Sequence, residues 1–172
     1  MDMNVGSSVK NFGSLAPKQA YAMQHYCRPG AIVLDIGANI GGFTLGFAER
    51  VGRTGKVYAF EPFHKTFQML TANVALNGLS NVYTKHVAIG NITEDRWLYG
   101  PDMNQMNVPS AMQVFDQPSM ENSYAEQHIT YEQEKELIEI RTLDQFGFQD
   151  IKQGSITFIK IDVEDMETAV AL

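Results

Sequence analysis

Ala31-Ile32-Val33-Leu34-Asp35-Ile36-Gly37-Ala38-Asn39-Ile40-Gly41-Gly42 is the stretch on which the fold turns. Its first six residues are a continuous apolar run rich in β-branched members, with one charge near the end and glycines on both sides. Such a run reads as a strand buried on both faces, the pattern of a parallel sheet covered by helices. The glycines that follow make a turn. From Gly41 to about Arg50, Phe43 and Phe47 then fall four residues apart on one helical face, and Gly52 lies just past the end. Strand, glycine turn and helix succeed one another.

Downstream the same order repeats. Lys56-Val57-Tyr58-Ala59-Phe60-Glu61 reads as a second strand, Pro62 as a junction, and His64 to Asn77 as a helix. In that helix Phe63, Phe67, Leu70 and Val74 are spaced by four, three and four, and Asn77-Gly78 supplies a left-handed stop. Asn81 to Val87 gives a third strand. A βαβαβ pattern with short connections predicts an α/β fold: a doubly wound, mostly parallel sheet with right-handed crossovers and helices on both faces. Upstream, Ser14 can cap a helix running to about Tyr26, with Pro17 in the first turn and Arg28-Pro29-Gly30 as its stop. Beyond the third strand, Thr93 to Tyr99 and a stretch within Lys135 to Arg141 read as less regular strands whose pairing the pattern leaves open. Between them, Pro101 to about Gln127 is polar and without period, as in a binding loop or lid or a merely variable segment. Thr142 and Gln145 have capping-box spacing for a short helix over 143–148, and Ile156 to Ile161 is another buried strand, ending at Asp162.

Composition bounds what such a sheet can serve. With 172 residues the chain fits one domain, given roughly 150 residues per domain. Within it we expect a helical lead-in over 1–30, a cofactor-binding βαβαβ unit over 31–90, a variable insertion over 91–141 and a fourth parallel strand region over 142–172. A hydrophobic fraction of 44% and only 19% charged residues exclude a disordered chain. Thirteen basic and twenty acidic residues leave a net charge of −7, with no basic run, which argues against nucleic acid or an anionic membrane surface as partner. No apolar stretch approaches the ~18 residues of a membrane span, and Met1 to Lys10 lacks the apolar core of a signal peptide. Cys27 is the one cysteine and has no internal partner, so a soluble, reducing, cytoplasmic setting is expected, with Cys27 a packed residue. The four histidines, His25, His64, His86 and His128, show no metal-ligand spacing, so no metal is expected.

Ligands of open α/β sheets bind beyond the carboxyl ends of the strands, where strand order reverses. The glycine turn there lets backbone approach a ligand closely and aims helix amides at it. It departs from the dinucleotide pattern because Asn39 stands where a second glycine would admit a pyrophosphate, and Asp35 would oppose one electrostatically. Glu61, 24 residues after Gly37, stands where a carboxylate accepts hydrogen bonds from both hydroxyls of a ribose. A cationic sulfur is tolerated near carboxylates, so the three features together suit S-adenosyl-L-methionine better than a nicotinamide dinucleotide.

Val33 to Gly41, Gly55 to Pro62, Asn73 to Asn77, Thr142-Leu143-Asp144 and Lys160-Ile161-Asp162-Val163-Glu164 resemble the corresponding blocks of the FkbM-type methyltransferases, in family order. The resemblance implies a Rossmann-like class I enzyme that uses S-adenosyl-L-methionine, mostly to methylate hydroxyl groups of sugars, polyketides and related metabolites. By that similarity Gly37, Ala38, Asn39 and Gly41 line the methionine side, Glu61 the ribose and His86 to Ala88 the adenine, and Asp35 and Pro62 complete the expected cofactor-binding residues. Methyl transfer depends on placing a hydroxyl oxygen in line with the methyl group, and a general base assists if it reaches the hydroxyl. Asp162 and Glu164 are the candidates, and their alternation along a strand would turn only one toward the cofactor, Asp162 being preferred. Family members usually carry glycine after this acidic pair, where this chain has Asp165, and the family fold continues through further strands past the position of Leu172. The C-terminal strands are therefore expected to be missing, and a truncated module that binds the cofactor without turnover is the alternative to an active enzyme. Nucleic-acid methylation fits less well, since no Asn-Pro-Pro-Tyr type motif accompanies the acidic charge.

Overall fold

The computed structural model describes residues 17–100, 134–146, 156–163 and 170. In chain order it contains α1 (Pro17–Tyr26), β1 (Ile32–Ile36), α2 (Gly42–Val51), β2 (Lys56–Phe60), α3 (His64–Leu76), β3 (Val82–Lys85), β4 (Ala88–Ile89), β5 (Glu94–Gly100), β6 (Glu134–Arg141), a 3-10 turn (Leu143–Phe146) and β7 (Ile156–Ile161). The polar stretch after Pro101, Ser14 with its expected cap, and residues 147–148 of the expected short helix lie outside the described residues.

Four strands form a parallel sheet in the order β3-β2-β1-β7. From β1 the chain steps outward to β2 and then β3, and later returns to the opposite side of β1 as β7. Strand order thus reverses between β1 and β7, and their carboxyl ends flank the crevice where such sheets bind ligands. Register aligns Asp35 with Ala59 on one side and with Lys160 on the other. Residues opposite each other on neighbouring strands project to the same face, so this register seats a lysine beside the buried aspartate.

Both faces of the sheet are covered, which is why its strands read as unbroken apolar runs. On one face Val33 and Val57 pack with Met23 and Cys27 near the end of α1 and with Phe47, Ala48 and Val51 of α2. Leu70 of α3 extends that layer over Ala38 and Ala59. On the other face Leu34, Ile36 and Phe60 pack with Val87 and Ile89, and Leu143 and Phe146 of the 3-10 turn lie against them. Full burial of a side chain such as Phe47, 1% exposed, is worth about 1.5–3 kcal/mol, so these layers hold the helices on the sheet.

The third strand, expected over Asn81 to Val87, ends two residues early, and another begins just past it. Val82–Lys85 belongs to the parallel sheet, whereas Ala88–Ile89 opens a second sheet of order β4-β6-β5. The break follows from packing, because Val87 and Ile89 turn inward onto the Leu34, Ile36 and Phe60 layer. In the second sheet β5 and β6 pair antiparallel from Glu94 opposite Ile140 to Gly100 opposite Glu134, and β4 runs parallel to β6. Phe63, Ile138 and Ile140 form a small core at its junction with α3. Among the described residues no helix is long and apolar enough to cross a membrane.

Candidate functional site at the carboxyl ends of β1, β2 and β7

The turn after β1 is built by close backbone approach. Gly37 has φ +75, and a Cβ there would lie 1.9 Å from the carbonyl oxygen of Asp162. The segment after β7 presses on this turn because the Asp162 N–H donates to the Ile36 carbonyl at 3.1 Å. Both the Gly37 and Ala38 N–H groups donate to the Phe60 carbonyl, at 3.0 and 2.9 Å, which ties the turn to the end of β2. Asn39 then adopts a left-handed conformation, φ 52, which asparagine tolerates better than most residues. Its side-chain oxygen accepts from the Ile40 N–H at 2.7 Å, and the Asn73 amide of α3 donates to the Ile40 carbonyl at 2.7 Å.

Glu61 closes this turn from the β2 side. Its Oε2 accepts from the Asn39 N–H at 2.8 Å, and its Oε1 accepts from the Phe63 N–H at 3.1 Å and the Thr66 hydroxyl at 2.7 Å. The side chain is almost fully enclosed. Burial pushes its carboxyl above the usual range, and the hydrogen bonds from Thr66, Phe63 and Asn39 pull it back. A carboxylate offers about four lone-pair positions, so with three donors in place one on Oε2 remains for a ligand hydroxyl.

Asp35 is more deeply placed than its position at a strand end suggests. It is 0% exposed, its Oδ2 accepts from the buried Thr44 hydroxyl at 2.6 Å, and its Oδ1 depends on the Lys160 ammonium 3.2 Å away. Burial raises its pKa above the ordinary 3.8, with Lys160 and the Thr44 hydrogen bond opposing that shift. Among the described residues, Lys160 links this carboxylate to the glycine turn. That lysine also donates to the Gly37 carbonyl at 2.9 Å, stands 3.4 Å from Asp162 Oδ2 and lies 5.2 Å from the centre of the Phe43 ring. One ammonium thus joins the glycine turn, the buried aspartate and the exposed Asp162 carboxylate.

Lys160 carries no local sequence signal of its role, which depends on strand register. Of the other expected site residues, Gly41 has φ +95 and leads into α2, Ala38 packs with Ala59 and Leu70, and Pro62 is half-buried after β2. His86 stacks on Phe67 with ring centroids 4.8 Å apart, whereas Ala88 packs toward Phe63, Ile138 and Ile140. Asp162 follows the end of β7 with its side chain 55% exposed, and Glu164 lies outside the described residues. Although no histidine ligand set was expected, His64 and His86 are brought together beside Glu136.

Residues 35–170 match the family model described as the methyltransferase FkbM domain. No curated protein matches the chain. Among solved structures, methyltransferase FkbM from Methylobacillus flagellatus KT is similar at 20% identity over 83% of this chain and 28% of its own, with a TM-score of 0.48. A protein-L-isoaspartate O-methyltransferase is 28% identical over 40% of this chain and 22% of its own, TM-score 0.38. A SAM-dependent methyltransferase from Aquifex aeolicus is 25% identical over 44% of this chain and 40% of its own, TM-score 0.40. This chain thus spans less than half the length of each of these proteins. With the family model covering residues 35–170 and the glycine turn, Glu61 and Asp162 all inside it, the chain belongs to the FkbM methyltransferase family.

Proposed function

We propose that the crevice at the carboxyl ends of β1, β2 and β7 binds S-adenosyl-L-methionine and that the chain serves methyl transfer to a hydroxyl oxygen of a small metabolite, sugar or glycan. The observation that carries this reading is the glycine turn locked to Glu61 beside the β1/β7 switch point. The donor set fits such a ligand: Glu61 keeps one acceptor position for a ribose hydroxyl, and with Lys160 set against the buried Asp35, the exposed Asp162 carboxylate leaves the mouth of the turn acidic, which suits a cationic rather than a diphosphate group.

In this reading Gly37, Ala38, Asn39 and Gly41 offer backbone to the methionine portion, Glu61 with Pro62 meets the ribose, and His86 bounds the adenine side. Ala88 contributes backbone only, since its side chain packs elsewhere. Asp35 acts by fixing Lys160, which in turn holds the Gly37 carbonyl. When bound, the cofactor supplies a methyl group made electrophilic by a positively charged sulfur. Asp162, the exposed carboxylate at the mouth, would orient the acceptor hydroxyl and take up its proton. Glu164, two residues on, is the second acidic group proposed for this step. The setting that goes with this reading is the cytoplasm, where a lone cysteine needs no partner.

Titration calorimetry with S-adenosylhomocysteine tests the cofactor half, and transfer of label from methyl-labelled cofactor to a panel of sugars and hydroxylated metabolites tests the acceptor half. The reading expects saturable binding, and transfer that drops roughly 10²–10⁴-fold in Asp162→Asn while binding persists. No heat at millimolar ligand overturns the first half. Transfer to nitrogen acceptors alone overturns the second.

A further inference from the structure

His64, His86 and Glu136 come from three separate places in the chain: the first turn of α3, the link between β3 and β4, and the first half of β6. Each offers one ligand atom, and these atoms all lie within 4.8 Å of one another. His86 Nε2 stands 3.8 Å from Glu136 Oε1, and the two imidazole centroids are 5.6 Å apart. We propose that these three side chains form a binding site for a first-row transition-metal dication, of which zinc is the probe.

The site is partly organised in advance. Both oxygens of Glu136 accept from the His64 backbone N–H, at 3.0 and 3.1 Å, so the carboxylate is aimed at the start of α3. The His86 ring lies nearly parallel to Phe67, at 16°, which fixes its plane. Ligands held by their surroundings lose less freedom on binding a metal. Zinc takes imidazole nitrogen at about 2.0–2.1 Å and carboxylate oxygen at about 2.0–2.2 Å, which sets tetrahedral donor separations near 3.5 Å. Closing from 4.8 Å requires about 1.3 Å of movement, within reach of rotation of the exposed His64 and His86 side chains.

Donor chemistry decides the class of ion. Two imidazoles and one carboxylate suit zinc, nickel, cobalt or copper, whereas magnesium and calcium prefer an all-oxygen shell. The positive end of the α3 dipole opposes a cation at His64, and the Glu136 carboxylate offsets it. Three protein ligands leave a fourth position open to water or another ligand. Because Glu136 belongs to the second sheet and both histidines adjoin the parallel one, a bound ion would cross-link the two sheets. His86 is shared with the adenine side of the proposed cofactor crevice, so zinc binding is tested without any nucleoside present, and its failure would leave the cofactor reading untouched.

The test is zinc titration by calorimetry on the full chain, with His64→Ala, His86→Ala and Glu136→Gln, and with His25→Ala as a control outside the cluster. Cobalt d–d absorption serves as a second readout, and far-ultraviolet circular dichroism establishes that each variant is folded. The expected result is one zinc per chain, undisturbed by magnesium, with affinity falling at least about 10- to 100-fold in each cluster variant and unchanged in His25→Ala. A visible cobalt spectrum should appear for the parent chain and be lost with His64→Ala, whose exposed position makes unfolding the least concern. Equal zinc affinity in the parent chain and His64→Ala, or no zinc binding at millimolar ion, would overturn the proposal.

Discussion

Replacing Lys160 by methionine keeps most of the side-chain volume and removes the one cation paired, among the described residues, with a fully buried carboxylate. Asp35 then retains the Thr44 hydroxyl as partner for Oδ2, and Oδ1 is left bare. Removing one member of a buried ion pair costs about 3–5 kcal/mol, and loss of the charged hydrogen bond to the Gly37 carbonyl lies within that range. The cost has a ceiling because Asp35 can take up a proton instead. Burial already raises its folded pKa above the ordinary 3.8, so the folded chain binds this proton more readily than the unfolded chain. Stability associated with the group is therefore present at low pH and is lost as pH rises through the folded value, at about 1.4 kcal/mol per pH unit for one proton. Without Lys160 the folded value moves further up, so the deficit of the variant is smallest near pH 4 and largest at neutral pH. Urea denaturation at about pH 4.5 and pH 7.5 measures this, and Lys160→Met combined with Asp35→Asn should recover at least half of the neutral-pH loss. A deficit below about 1 kcal/mol at neutral pH, or one of equal size at both pH values, would refute the assigned role of the pair.

Gly37→Ala should lose about 2–5 kcal/mol, combining a positive φ with a methyl group driven 1.9 Å from the Asp162 carbonyl oxygen; denaturant midpoints check this. Glu61→Gln puts an amide NH2 where an acceptor stood, so one of the Asn39, Phe63 or Thr66 donors loses its partner at a cost of about 1–3 kcal/mol, read by the same assay. Cys27 is buried and its thiol is pushed up to about 11 by that burial, with the Arg50 charge pulling slightly the other way. Aromatic disulfide reagents should therefore leave the native protein unmodified at pH 8 and label it at once in denaturant. Prompt labelling of the native chain would contradict the packing of α1.

Much of the sheet was legible because its signals are local. The apolar run before Gly37, the Phe63, Phe67, Leu70 and Val74 stripe and the Asn77-Gly78 stop all declare themselves within a dozen residues, and β1, β2 and α3 lie where those signals place them. The glycine turn and Glu61 were legible for the same reason, as both sit at strand ends. What could not be read is whatever depends on register or on contacts between distant segments. Asp35 was expected to face a ligand directly, but the pairing of β1 with β7 puts Lys160 over it. The antiparallel match of β5 with β6 carries no turn signature, because the chain between them is long. His64, His86 and Glu136 are separated by 22 and 50 residues, so no ligand-spacing rule could join them. The third strand ends at Lys85 because Val87 and Ile89 pack inward, which the local pattern does not distinguish from a strand running on to Val87.

A crystal structure with S-adenosylhomocysteine bound is the most direct measurement of the cofactor assignment. The account predicts the ligand in the β1/β7 crevice, with its ribose on Glu61, its amino acid end along Gly37 to Gly41 and its base beside His86. Ligand density anywhere else on the chain, or a ribose that makes no contact with Glu61, would contradict it.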